Sequence, residues 1–67
     1  MDLASRKQVS AIYWHLAQHE VPYVEGIKEW LNESLTFDDA SIIVGHMMEG
    51  VFEEGLKELH RLAPQYF

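Results

Sequence analysis

Two helix-start signals govern what this chain of 67 residues can fold into: Ser5 followed three positions later by Gln8, and Thr36 followed three positions later by Asp39. The first amide hydrogens of a helix have no partner within it. A Ser or Thr hydroxyl accepts from one of them, and an acid or amide side chain three residues on reaches back to the cap. Each pair is followed by apolar residues at helical spacing, so an all-α fold is expected.

Val9, Ile12, Tyr13, Leu16 and Ala17 recur at the three-and-four spacing that lines one side of a helix. They predict a first helix over about residues 5–19. Pro22 suits the first turn of a helix, where its missing amide hydrogen costs nothing, and predicts a second over about 22–32. Its inward stripe is Tyr23 or Val24 with Ile27, Trp30 and Leu31. A third, over about 37–49, buries Phe37, Ala40, Ile43, Val44, Met47 and Met48. Beyond Met48 the apolar set moves to Phe52, Leu56, Leu59 and Ala63, so a break at Gly50 and a fourth helix over about 51–62 are expected. Gly55 inside it predicts a loss of roughly 1 kcal/mol relative to alanine. The expected architecture is one small domain, 1–67, built as a bundle of three to four short helices.

A chain this short hides only about 60% of the surface its unfolded form exposes. With no cysteine it has neither disulfides nor thiolate metal ligands, leaving helix packing or self-association to supply stability. Nothing approaches a membrane span of roughly 20 apolar residues. No basic segment followed by an apolar stretch opens the chain, and a cytoplasmic protein is expected. Five Lys and Arg against eleven Asp and Glu leave a formal charge of -6, which opposes a phosphate backbone. Arg6 and Lys7 offer at most a minor phosphate contact at a helix start.

Ser5-x-Lys7-Gln8-x-x-x-Ile12-x-x-x-Leu16, then Leu35-Thr36-x-x-x-Ala40-Ser41-x-Ile43-Val44, resembles a short helical module. Similar segments occur at the C-termini of phage-type single-strand-annealing and recombination proteins and in small bacterial proteins. The likeness covers about residues 4–48. It implies a protein-docking appendage in phage or mobile-element DNA metabolism and brings no catalytic residue.

His15 and His19, four apart, share a helix side with Glu20 near, but two ligands are not a metal site. Leu16 follows His15 where the zinc-protease signature requires Glu. His46 and His60 read as surface groups. Ser5, Ser10, Ser34 and Ser41 fall at caps or helix surfaces, without the convergent base and acid a nucleophile needs. Asp38/Asp39 and Glu53/Glu54 are sequence neighbours that diverge around a helix. Gly45, Gly50 and Gly55 lack the Lys of a phosphate loop. No enzyme, cofactor or metal is expected.

Trp14 lies more than about 120° from the centre of its helix's apolar side, and Ile42 nearly opposite that of the third helix. With Tyr66 and Phe67 they are the expected apolar anchors, unless Trp14 packs under the fourth helix. Glu49, Glu53, Glu54 and Glu58 would form an acidic rim that steers a basic protein partner. The function expected is non-catalytic docking on, or inhibition of, a DNA-metabolism or host-defence protein, with dimerisation a further expectation. The other reading is a single-strand DNA accessory module resting on Arg6 and Lys7.

Overall fold

The Ser5 hydroxyl accepts from the Gln8 amide and the Gln8 side chain accepts from the Ser5 amide, closing a complete capping box at the start of α1 (Arg6–Gln18). The Thr36 hydroxyl accepts from the Asp39 amide at 3.2 Å to open α3 (Phe37–Met48). Between them lies α2 (Ile27–Glu33), and α4 (Phe52–Leu62) follows. The computed structural model describes residues 2–67, and within them these four helices make a small all-α bundle.

An isolated antiparallel bridge joins Leu3 to Thr36, with the Ala4 amide donating to the Leu35 carbonyl and the Phe37 amide to the Asp2 carbonyl, each at 2.8 Å. It brings the two capped helix starts together. At the opposite end, His19 just beyond α1 stacks on Phe52, the first residue of α4. Helices α1 and α3 therefore run in the same direction, and α4 returns along α3. The core is supplied by Val9, Ile12 and Leu16 of α1, Ile27 and Leu31 of α2, Ala40, Ile43 and Met47 of α3, and Leu59 of α4, with Leu35 from the connector. Burying each large aliphatic side chain contributes about 1.5–3 kcal/mol before entropy is counted.

Gly50 ends α3 at φ 82°, a backbone region that glycine enters without steric cost. The Val51 amide reaches the His46 carbonyl and the Gly50 amide that of Met47, so the orphan carbonyls of the last turn are satisfied. The break expected at Gly50 is present. The same paired bonds close α1, from Val21 to Leu16 and from Glu20 to Ala17, but there the left-handed position (φ 56°) is held by Glu20.

Five expectations are corrected. The second helix begins at Ile27, not Pro22; residues 21–24 are irregular, Glu25–Gly26 form a turn, and Gly26 holds the cap position at φ 102°. Tyr23 and Val24 are consequently exposed. On α1, Tyr13 and Ala17 flank the stripe and face solvent. On α3, Phe37 and Met48 are 45% and 72% exposed, because three inward residues per helix suffice for a core this small. Gly55 is also no simple weakness: a β-carbon there would stand 3.2 Å from Met47 Cγ and 3.3 Å from the Ile43 carbonyl oxygen. Its lack of a side chain lets α4 approach α3 closely.

Candidate docking surface

The end of the bundle where α1 finishes and α4 begins carries a groove that combines apolar side chains with carboxylates. His19, Val21, Gly50, Val51, Phe52, Glu53, Glu54 and Leu56 line an open groove there. The closing turn of α1 places Val21 on one wall, and the Gly50 break places Val51 and Phe52 on the other. The His19 ring lies flat on Phe52, with centroids 3.8 Å apart and planes 6° from parallel. Val21, Val51, Phe52 and Leu56 form the apolar part of the lining, and Glu53 and Glu54, exposed residues of α4's first turn, add carboxylates to it. Carboxylates are stabilised there by the helix dipole.

Each expected anchor can now be located. Trp14 is 58% exposed on α1, so it does not pack under α4; its indole meets the His15 ring edge-on at 5.0 Å. Ile42 is 52% exposed on the outward side of α3. Neither residue lines the groove. Tyr66 and Phe67 are not a spare tail: both are half-buried and packed against the core. Phe67 meets Trp30 edge-on at 6.1 Å, and Tyr66 lies over Gly26, where a β-carbon would come within 2.9 Å of its Cε1. These two aromatics close the bundle over α2 and keep only part of their surface exposed.

The expected acidic rim divides in two. Glu54 pairs with Lys57 at 3.3 Å, and Glu58 accepts from Arg61 Nη2 at 2.7 Å, each one turn along α4. That hydrogen bond and the Glu58 charge hold the Arg61 pKa above its ordinary value. Such exposed pairs contribute little stability, but they partly neutralise the outer surface of α4. Glu49 and Glu53 make no ion pair among the described residues. Glu53 lines the groove, and Glu49 stands next to its Gly50 in sequence.

The chemistry-bearing side chains do not converge. His15 rests against Trp14 and His19 against Phe52, and among the described residues no three His, Asp or Glu come together as metal ligands would. Ser5 is a helix cap, and Ser41 accepts a hydrogen bond from Gln8. No buried side-chain polar atom among the described residues is left unpaired. Among the described residues no helix is long and apolar enough to cross a membrane.

Sequence reading missed Val21 and Val51 as lining residues. Both follow a left-handed residue that ends a helix, and that position often carries an apolar side chain packing back over the last turn. Gly50 signalled this for Val51, but Glu20 gave no such sign for Val21. Compared with protein-family models, with curated proteins and with solved structures, the chain finds no match.

Proposed function

We propose that this bundle is a non-catalytic docking module, and that the groove beside Phe52 receives a basic amphipathic segment of another protein. The observation that carries this reading is the groove itself, whose lining joins Val21, Val51, Phe52 and Leu56 to the carboxylates of Glu53 and Glu54. A segment with apolar residues on one side and Lys or Arg on the other would bury its apolar side against Val51, Phe52 and Leu56. Its cations would then meet Glu53 and Glu49. Charges at the edge of an interface act mainly on association rate and partner choice, while the apolar contacts hold the complex. Trp14 and Ile42, outward on neighbouring helices, are further anchors for the same or a larger partner. From the likeness of residues 4–48, the setting we propose is phage or mobile-element DNA metabolism, with a replication, recombination or defence protein as the partner docked on or inhibited.

The test is affinity with a purified partner, identified first by cross-linking to the wild-type chain. Glu49→Lys with Glu53→Lys reverses the two carboxylates of this end that make no ion pair among the described residues, with little net effect on stability. A cation is favourable at the C-terminal end of α3 and unfavourable at the first turn of α4, so the two changes offset. Binding is expected to weaken at least about tenfold and to lose most of its salt dependence. Unchanged affinity in this variant would exclude the groove as the docking site.

A further inference from the structure

Helix α1 differs in charge from the rest of the molecule. All eleven Asp and Glu of the chain lie outside residues 3–19, and α1 has none. Its first two residues are Arg6 and Lys7, both exposed and both without an ion pair among the described residues. Stability does not explain them. The first turn of a helix carries a partial positive charge, so cations there are repelled and carboxylates are the favoured residues. Lys7 and Trp14 stand about two turns apart on one outward line of the helix, with Arg6 and Ser10 beside it. The indole is exposed and braced by His15. A chain of net charge -6 thus presents one acid-free face bearing two unpaired cations and an exposed tryptophan.

We propose that this face is a second docking surface, separate from the groove, and that its partner is an acidic polypeptide segment. Carboxylates would meet Arg6 and Lys7, and an apolar side chain would cover Trp14. The repulsion stored at the helix start in the free protein is relieved when the acid binds. A short acidic segment fits better than a nucleic-acid strand. Two cations match two or three carboxylates, whereas a strand extending beyond them would run onto an otherwise acidic surface.

The experiment is a backbone-amide NMR titration of the wild-type chain with a short amphipathic peptide of Glu, Leu and Ala. Its Lys counterpart and oligothymidylate are titrated in parallel. The expected result is saturable shifts at Arg6, Lys7, Ser10 and Trp14 with the Glu peptide alone, weakening at least about tenfold from low to high salt. Arg6→Glu with Lys7→Glu is expected to abolish the shifts while melting no lower than wild type, and Arg6→Gln with Lys7→Gln gives the same loss without charge inversion. Four results would overturn the proposal: no saturable shift on α1, equal shifts with the Lys peptide, binding of oligothymidylate in place of the Glu peptide, or retained binding in both double variants. Shifts at the groove residues 51–56 with the Lys peptide, with none on α1 from the Glu peptide, would leave the groove reading intact while sinking this one.

Discussion

Gln8 Nε2 donates to Ser41 Oγ at 3.0 Å while the same side chain's Oε1 accepts from the Ser5 amide at 2.8 Å. One residue thus caps α1 and ties it to α3. Gln8→Ala removes half of the capping box and the link between helices together, and should cost about 1–2 kcal/mol. For a domain of this size that is a fall in melting temperature of roughly 4–16 °C. Ser41→Ala should cost less, about 0.5–1.5 kcal/mol, and a double-mutant cycle should show the two losses to be less than additive.

The glycines at positions 45 and 55 both lie within helices, yet alanine should act on them with opposite sign. At Gly45 a β-carbon would meet nothing within 4 Å, so Gly45→Ala should gain up to about 1 kcal/mol from helix propensity. At Gly55 the added methyl presses on the Ile43 carbonyl, which is backbone and yields poorly, and on Met47. Overpacking of this kind costs about 1–3 kcal/mol, which outweighs the propensity gain. Paired thermal melts of the two variants decide the matter. A Gly55→Ala variant more stable than wild type would mean that α4 can move off α3 freely.

Glu20 holds a left-handed conformation at the end of α1 that side chains other than glycine and asparagine enter at a cost of about 1 kcal/mol. Glu20→Gly should therefore stabilise the bundle slightly, by up to roughly 0.6 kcal/mol after glycine's greater unfolded entropy is subtracted. Chemical denaturation would show it as a higher midpoint at unchanged slope.

Replacing either first-turn cation of α1 by Glu should raise stability by about 0.3–1 kcal/mol at low ionic strength, with the gain shrinking as salt is added. This follows from the helix dipole alone. A loss of stability on Arg6→Glu or Lys7→Glu would mean that these cations have partners within the fold, and would remove the reason for placing an acidic ligand on that face.

Local signals made much of this architecture legible. Ser5 with Gln8 and Thr36 with Asp39 placed two helix starts, and Gly50 with the rotated apolar stripe beyond it separated α3 from α4. These features depend on bonds spanning a few residues. What escaped depends on distant neighbours. Pro22 is a good first-turn residue, yet α2 starts later because the chain turns at Gly26 beneath Tyr66, a contact between the middle of the chain and its end. Gly55 reads as a weak helix former until α3 is laid against it. Tyr66 and Phe67 read as loose anchors until Trp30 and Gly26 are beneath them. For the candidate surface, the sequence supplied Glu49, Glu53, Glu54 and Glu58 as one rim. Only the structure shows that Lys57 and Arg61 occupy two of them, and that Trp14 stands on a different, acid-free helix.

The central claim, that the groove beside Phe52 docks a basic segment, is tested most directly by calorimetric titration of the wild-type chain with an amphipathic peptide of Lys and Leu at low and high salt. The account predicts saturable binding that weakens with salt and falls at least about tenfold in the Glu49→Lys, Glu53→Lys variant. Absence of binding, or equal binding by wild type and variant, would contradict it.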